Sequence, residues 1–377
     1  MKILYVTTIG GTMGFFKEFI KKLIDEGHTV DIVTNETIRP VAECYREWGC
    51  KVYHHSCTRS PINVGTLKAI KEIKKIVNEN EYDIVHCHTP IAAMCTRLAC
   101  IKARKKGTKV FYTAHGFHFY KGAPLKNWLI YYTIEKICSY FTDVLITINK
   151  EDYALACKKM RAKRIEYVHG VGLDTKKIFD TVVDRQKKRE ELGISDDAVM
   201  LLSVGELNKN KNHETVIKAL AQVNDKNVHY FVAGRGSKEE YLKSLAEDLG
   251  ISENVHILGF RSDVVELYKS ADVFVHPSFR EGLPVSLMEA MCSGLPCIVS
   301  QIRGNQDLVE NSLNGFCCNP FNEREFADAI EKFVADKKMR EEMGKQNIEK
   351  VKLFDISNVI NDMEKIYKFY GVKNEKR

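Results

Sequence analysis

The stretch DVFVHPSFREGLPVSLMEAMCSGLPCIVS, residues 272–300, contains a strand, a helix and a second strand in that order. The apolar run 272–278 predicts the first strand, and Pro277 interrupts it. Pro284 suits the first turn of a helix and Gly294 suits its end, so a helix is expected over 284–293. Residues 296–300 predict the next strand. This succession is typical of a parallel α/β sheet with crossover helices.

The same alternation runs outward from this stretch in two series. The predicted strands cover 2–8, 29–34, 82–88, 108–114 and 143–148 in the first series, and 199–207, 228–234, 254–259, 272–278 and 296–300 in the second. Two Rossmann-like, doubly wound domains are therefore expected, facing a cleft beyond the carboxyl ends of their strands. We predict an N-terminal domain over 1–170, a linker over 171–195, a C-terminal domain over 196–352 and a final helix over 353–377 that can pack back on the N-terminal domain.

Length and composition describe a globular chain of two domains. The 377 residues are 44% hydrophobic and 28% charged, which excludes a disordered or low-complexity protein. The sequence contains no uncharged run of the roughly 18 residues that a membrane helix needs, and its beginning does not resemble a signal peptide, so a cytoplasmic location is expected. The 12 cysteines form no C-x-x-C pair and are expected to be reduced and buried.

Positive charge is concentrated in the first part of the chain. Residues 1–170 contain 27 Lys and Arg against 16 Asp and Glu, whereas the remainder is net acidic. A basic run at 97–109 lies near an aromatic segment at 125–141 that contains Trp128, Leu129, Tyr131 and Tyr132. This mixture predicts peripheral docking on anionic lipid at the cytoplasmic face of a membrane. Alternatively, the aromatic side chains pack into the core and the basic run is a solvated helix end; no nucleic-acid partner is expected.

Two glutamates in the opening stretch are candidates for ligand binding. Glu281 lies in the loop before the predicted helix, where the amides of Gly282, Leu283 and the first helical turn can bind a diphosphate. Glu281 could then reach hydroxyls of the group attached to that diphosphate. Glu289 lies inside an apolar helical run and needs hydrogen-bond donors, which a ribose diol provides. Alternatively, Glu281 only caps a helix and Glu289 pairs with a protein group.

The combination of these features resembles a known family. A strand end, Glu-Gly-Leu-Pro, two glutamates eight positions apart and a following Gly-x-Pro strand are similar to the motif of the retaining GT-B glycosyltransferases of family 4. The resemblance covers nearly the whole chain. It implies that Glu281 contacts hydroxyls of the donor sugar and that Glu289 holds the ribose of the nucleotide.

The resemblance also extends to the segment VGELNKNKNHETVI, where the chain departs from the family pattern. The family has an arginine and a lysine that clamp the diphosphate; here Lys211 is in the lysine position but Glu206 replaces the arginine. Arg280 or a basic residue of the first domain is one source of the missing charge. Alternatively, Arg280 is a surface residue and the helix N-terminus does more of the work. We favour Lys211 together with the helix N-terminus.

Further donor-binding residues follow from the resemblance in the second half. AGRGS resembles the loop beside the diphosphate, which implies roles for Gly234 and Arg235. LGFRSD resembles the segment whose backbone reads the base, which makes Arg261 a candidate. The loop after strand 296–300 places Gly304 and Asn305 near the donor.

In the first half, the segment TTIGGTMG resembles the glycine-rich loop that approaches the substrates, so Gly11 is assigned there. His115 occupies the position of a histidine near the reacting sugar and is, with Glu281 and Lys211, a catalytic candidate, although a lone histidine is more often structural. His86 and His88 share one strand face but have no third ligand at a useful spacing. Since Asp-x-Asp and Walker A motifs are also absent from the sequence, catalysis without a metal or other cofactor is expected.

The predicted activity is transfer of a hexose or N-acetylhexosamine from a UDP-sugar with retention of configuration. The segments at 88–100 and 112–136 resemble enzymes of bacterial surface-polysaccharide assembly, which implies a glycan acceptor on undecaprenyl diphosphate. Two alternatives stay open: a UDP-sugar 2-epimerase of the same fold, and a nucleotide-sugar-binding subunit without turnover, for which Glu206 is the hint.

Overall fold

A computed structural model describes residues 1–37, 39–58 and 64–371 of the chain. The chain divides into two compact units. The first consists of Met1–Gly172 with the C-terminal segment that begins at Ile356, and the second is Leu173–Asp355. Among the described residues, no helix is both long and apolar enough to cross a membrane.

The first unit is built on a sheet of seven strands: β1 (Lys2–Ile9), β2 (Thr29–Asn35), β3 (Val52–His54), β4 (Ile84–His88), β5 (Lys109–Ala114), β6 (Val144–Thr147) and β7 (Arg164–Tyr167). The strands are parallel and lie in the order β3-β2-β1-β4-β5-β6-β7. Its helices are α1 (Lys17–Asp25), α2 (Cys44–Glu47), α3 (Val64–Asn80), α4 (Pro90–Ala99), α5 (Ile101–Lys105), α6 (Leu125–Asn127), α7 (Thr133–Ser139) and α8 (Lys150–Lys159), and the C-terminal helix (Ile356–Gly371) also belongs to this unit.

Apolar residues on both faces of this sheet form the core of the first unit. Phe16, which directly precedes α1, and Phe19, Ile20 and Leu23 on α1 are all buried. The C-terminal helix contributes Tyr367, whose hydroxyl lies 2.6 Å from Nδ1 of His86. The glycine-rich segment forms a 3-10 helix, Gly10–Phe16, between β1 and α1.

The second unit contains six strands: β8 (Val199–Val204), β9 (Val228–Ala233), β10 (Val255–Gly259), β11 (Val273–His276), β12 (Cys297–Ser300) and β13 (Gly315–Cys318). These strands are also parallel, in the order β10-β9-β8-β11-β12-β13. Its helices are α9 (Thr175–Asp180), α10 (Arg185–Glu191), α11 (His213–Val223), α12 (Glu239–Asp248), α13 (Val264–Ser270), α14 (Val285–Cys292), α15 (Asn305–Leu308), α16 (Glu323–Ala335) and α17 (Lys337–Val351).

The structure differs from the prediction at two kinds of position. The short edge strands β3, β7 and β13 were not predicted. The segment 171–195, predicted as a linker, carries α9 and α10 instead. The reason is Arg189 on α10, which is buried and donates hydrogen bonds to the carbonyls of Ser270, Ser195 and Ala198. These bonds fix α10 to the second unit.

Each sheet reverses its strand order beside its first strand. In the first unit β1 has β2 on one side and β4 on the other, and in the second unit β8 lies between β9 and β11. In each unit, the loops that follow the central strand and its neighbour run to opposite sides of the sheet and leave a crevice at the carboxyl ends of the strands. The candidate residues of both units follow these strand ends.

Candidate functional site

In the second unit the loops after β8 and β11 meet at the reversal point. Asn210 joins them: its carbonyl accepts from the amide of Phe279 at 2.8 Å, and its side chain donates to the carbonyl of Arg280 at 3.0 Å. The same contact brings Lys211 to Glu281, with Nζ and Oε1 2.8 Å apart. Residues separated by 70 positions in sequence are therefore ion-paired where a ligand is expected.

His276 is a third member of this group, and the sequence analysis did not identify it. Its Nε2 lies 3.2 Å from Oε1 of Glu281 and 3.3 Å from the hydroxyl of Ser278. Burial lowers the pKa of His276 below its usual value, so the ring is neutral at neutral pH and serves as a hydrogen-bond donor. Burial alone would raise the pKa of Glu281, but the His276 hydrogen bond and the Lys211 ammonium outweigh it and hold the pKa well below the usual range. Glu281 therefore stays ionised.

Glu289 lies on α14 and is partly buried. Its Oε2 accepts a hydrogen bond at 3.0 Å from the hydroxyl of Tyr268, a buried residue that sequence reasoning missed. Burial raises the pKa of Glu289 because one tyrosine hydrogen bond and the more distant Lys177 compensate only part of the desolvation. Within the described chain no other side chain donates to this carboxylate. One carboxylate oxygen of Glu289 is thus bonded within the protein, and the role of Glu289 in holding a ribose stays a prediction.

The loops at the carboxyl edge approach one another so closely that glycine is required. A methyl group added at Gly234 would lie 1.8 Å from the carbonyl oxygen of Gly205, and one at Gly304 would lie 2.3 Å from that of Gly282. Gly304 also has a φ of +79°, which side chains disfavour. The amide of Gly234 donates to the carbonyl of Gly259 at 2.7 Å. These positions leave backbone groups, rather than side chains, to line the edge.

The amino end of α14 follows this edge. Pro284 precedes the helix with an extended backbone, and Leu283 is buried. The first amides of a helix have no intrahelical acceptor, so this end can bind an anion. Arg303, another residue that sequence reasoning missed, is 6% exposed and donates from Nε to the carbonyl of Glu281 at 3.2 Å. A buried arginine beside Glu281 is thus present although Glu206 replaces the expected one.

The other arginine and glutamate candidates lie nearer the surface. Arg235 is exposed, with its guanidinium 5.9 Å from the ring of Phe260. Glu206 is exposed and accepts from the side chain of Asn208 at 2.8 Å. Arg280 is partly buried. None of the three has an ion pair to another described residue, so all remain available to a ligand.

Arg261 and Asn305 are engaged by the protein. Arg261 donates from Nε to Asp263 at 2.7 Å and pairs with Glu191 at 2.9 Å, and these hydrogen bonds raise its pKa. Its guanidinium is therefore already neutralised, although a role of its backbone in reading a base is unaffected. Asn305 is buried and donates to the carbonyl of Ser300 at 3.0 Å, while its Oδ1 has no partner among the described residues.

In the first unit, histidines occupy the ends of β4 and β5. Nδ1 of His88 lies 3.1 Å from Nε2 of His115. Burial lowers the pKa of His115 to about 4 and that of His86 to about 3, so both rings are neutral at neutral pH. His86 bonds to the hydroxyls of Tyr367 and Thr113 at 2.6 and 2.8 Å, which identifies it as a structural residue. Gly11 lies in the 3-10 helix, against the side chain of Arg39.

Among the described residues, no three or more His, Cys, Asp or Glu side chains cluster so that they could hold a metal ion. The candidate residues of the two units offer different chemistry. The second unit offers cations and backbone amides to an anionic ligand, and the first offers neutral imidazole.

Comparisons with known proteins agree with this picture. A family model described as glycosyl transferases group 1 matches residues 184–350, and one described as glycosyl transferase 4-like matches residues 2–149. The putative glycosyltransferase EpsD of Bacillus subtilis is 39% identical over 83% of this chain and 83% of its own length.

Two further proteins are similar over most of the chain. The Escherichia coli enzyme named UDP-Gal:alpha-D-GlcNAc-diphosphoundecaprenol alpha-1,3-galactosyltransferase is 29% identical over 81% of this chain and 79% of its own. The crystal structure of Anabaena Alr3699/HepE in complex with UDP-glucose has a TM-score of 0.80 at 20% identity, covering 98% of this chain and 100% of that one.

Proposed function

Because this chain belongs to the glycosyltransferases and has the GT-B fold that its resemblance implied, we propose that it transfers a hexose or N-acetylhexosamine from a UDP-sugar. The acceptor in this proposal is a glycan carried on undecaprenyl diphosphate. The observation that carries the proposal is the Lys211–Glu281 pair at the strand reversal of the second unit. It combines a cation for a leaving diphosphate with a carboxylate for sugar hydroxyls.

The reaction we propose keeps the anomeric configuration and uses no metal. As the bond from the sugar to the diphosphate breaks, negative charge grows on the leaving oxygen and the sugar takes on oxocarbenium character. Lys211 and the first amides of α14 stabilise that oxygen. The acceptor hydroxyl attacks from the same face and passes its proton to the departing phosphate, so no protein base is required.

Glu281 has two roles in this scheme. Before the donor binds, its ionised carboxylate holds Lys211 in place. When a diphosphate arrives, Lys211 can turn to it, and Glu281 accepts hydrogen bonds from the donor sugar. Glu289 and Tyr268 hold the ribose: the tyrosine orients one carboxylate oxygen and leaves the other for a diol.

Two properties support a lipid-linked acceptor: the similarity to the galactosyltransferase named for a diphosphoundecaprenol substrate, and a cavity in the first unit. The cavity measures about 260 Å³ and lies at the carboxyl ends of β1 and β4, where Thr8, Thr12, Thr89, His118 and Tyr131 line it. Tyr131 belongs to the helical segment 125–139, which joins the cavity to an exposed apolar surface.

We define this surface, the docking face, as Leu125, Leu129, Ile130, Ile137 and Tyr140, which are between 43% and 74% exposed. The predicted aromatic anchors lie on the other side: Trp128, Tyr131 and Tyr132 pack against the core. Arg104 donates to the carbonyl of Tyr140 at 3.3 Å and so places the basic helix α5 beside the docking face. Apolar side chains next to exposed lysines suit an anionic lipid surface at the cytoplasmic side of the membrane.

The experiment that tests the function is a panel of UDP-sugars incubated with a synthetic lipid-linked acceptor, with and without EDTA. We expect that one of the UDP-sugars donates its sugar to the acceptor, and that this transfer also occurs in the presence of EDTA. Epimerised donor without transfer would indicate the epimerase, and tight UDP binding without any turnover would indicate a binding subunit. Activity that is lost with EDTA and restored by manganese would overturn the metal-free mechanism.

A further inference from the structure

The hydrogen bond between His88 and His115 restricts which ring nitrogens of the two side chains carry a hydrogen. His88 ends β4, and its Nδ1 lies 3.1 Å from Nε2 of His115, which follows the adjacent strand β5. Both rings are neutral because burial lowers the pKa of each. A neutral imidazole has one N–H donor and one bare nitrogen, so one ring donates and the other accepts.

The surroundings of His88 decide which ring donates. The ring is 2% exposed, is stacked on Phe16 and lies tilted against His86, with centroid distances of 4.1 Å to each. Its Nε2 has no hydrogen-bond partner among the described residues. A buried N–H without an acceptor is rarer and costs more than a bare lone pair, so the hydrogen belongs on Nδ1.

Water does not reverse this assignment. A cavity of about 40 Å³ adjoins the ring, enough for a water molecule, but its lining is mainly apolar and includes Phe15, Phe19, Ile146 and Met363. A buried water needs two to four polar partners. The lining offers few such partners, so it does not favour a water that would accept a hydrogen from Nε2.

We propose that His88 is a positioning residue: its Nδ1–H donates to Nε2 of His115 and so fixes the hydrogen of His115 on Nδ1. No described residue bonds to that nitrogen, and the side chain is partly exposed. His115 therefore presents an N–H donor to a substrate oxygen and does not act as a base. This inference rests on the proposed function for the identity of the substrate, but the proton position does not.

The assignment has a chemical consequence for the transfer. To act as a base, His115 would have to accept a second proton and become a cation in a site where burial lowers its pKa to about 4. A neutral donor pays no such penalty and can hold a hydroxyl or phosphate oxygen throughout the reaction. This fits a mechanism in which the leaving phosphate removes the acceptor proton.

The first test is NMR of the full-length protein with ¹⁵N-labelled histidine, with a His115→Gln variant to assign the signals. We expect His115 to have a protonated Nδ1 and a bare Nε2 at pH 7, and His88 to have the same tautomer. A protonated Nε2 on His115 would overturn the proposal. The experiment needs no sugar nucleotide, so it stands even if no transfer activity is found.

The second test compares two variants of His88. In His88→Asn the side-chain amide can occupy the place of Nδ1 and donate to His115, whereas His88→Leu removes the donor. We expect kcat/KM to fall roughly tenfold or more in His88→Leu and to stay within about threefold of the wild type in His88→Asn. The NMR signals of His115 should change only in His88→Leu. Equal loss in both folded variants, with an unchanged His115 tautomer, would refute the positioning role.

Discussion

The two units place their candidate residues at the same point of similar sheets but in opposite electrostatic states. In the first unit His88 and His115 are neutral, and aromatic rings lie against both of them. In the second unit Glu281 stays ionised beside Lys211. The fold thus supplies the location, and the side chains after the strands supply the chemistry. The second unit thus presents charged groups at this point, and the first presents neutral hydrogen-bonding groups.

We expect the largest effect from substitutions of the charged residues of the second unit. Lys211→Ala should lower kcat by about 100-fold or more, because a partly buried cation that meets a leaving group stabilises mainly the transition state. The matched control is Lys209→Ala, since Lys209 is exposed in the same loop. Steady-state kinetics with the preferred UDP-sugar measures both. Comparable losses in the two variants would mean that positive charge in general, rather than Lys211, is what matters.

Glu281 and Glu289 should separate turnover from binding. Glu289→Ala is expected to weaken UDP binding by roughly 1–3 kcal/mol, whereas Glu281→Gln should mainly lower kcat. Tyr268→Phe removes the hydroxyl that orients Glu289 and should have a smaller effect on UDP affinity. Calorimetry with UDP checks each variant. An unchanged affinity in folded Glu289→Ala would exclude Glu289 from the ribose site.

Acid should distinguish the neutral from the charged residues through stability. The pKa of His86 is about 3 in the folded protein and 6.5 in its ordinary state, so the folded form binds fewer protons. The contribution of neutral His86 to the free energy of unfolding is fully present above pH 6.5 and is lost as the pH falls toward the folded pKa. Between pH 7 and 5 we expect a loss of roughly 2 kcal/mol from His86 alone.

Denaturant unfolding at the two pH values checks this expectation. His86→Gln should reduce the difference in the free energy of unfolding between pH 7 and 5. Glu281→Gln should change that difference far less, because the carboxylate stays ionised in the folded protein throughout this range and its ordinary pKa of 4.5 lies below the range. If both variants changed this pH difference in the free energy of unfolding equally, the electrostatic contrast between the two units would be contradicted.

The smallest effect concerns the docking face of the first unit. Lys105→Gln with Lys106→Gln should reduce flotation with anionic liposomes severalfold at low salt, and binding by the wild type should weaken as salt is added. Arg104 is a poor choice for substitution, because it holds Asp143 with two hydrogen bonds of 2.8 and 2.9 Å.

An apolar variant completes this test. Leu129→Asn with Ile137→Asn should also lower flotation, whereas Leu353→Asn, at another exposed leucine, should not. Failure of the wild type to float with anionic liposomes at low salt would make a soluble acceptor the better hypothesis.

Much of the fold could be predicted because central strands of parallel sheets are continuous apolar runs. The edge strands β3, β7 and β13 are only three or four residues long and gave too little periodicity. Segment 125–141 is apolar on most sides, so its sequence did not reveal which side meets the core. A π-helical turn at Trp128–Tyr132 further rotates the faces relative to a regular helix.

The glutamates of the site could be found from spacing and resemblance, but their partners could not. Tyr268 and Arg303 reach Glu289 and Glu281 through tertiary contacts, whereas His276 lies five residues before Glu281, at the end of the strand that leads to it. No local pattern encodes such contacts, because they depend on how neighbouring strands and helices align. Arg303 directly precedes Gly304, so the basic residue in that loop was the one available signal.

The C-terminal helix has a consequence for the order in which the chain folds during synthesis. The second unit is continuous in sequence, so all its residues are synthesised before the C-terminal helix that belongs to the first unit. The first unit begins the chain, yet its interior needs the hydroxyl of Tyr367 against His86 and Tyr5. A nascent chain therefore holds an incomplete first unit, with part of its apolar core uncovered, until the last helix emerges. The half made first is the half completed last.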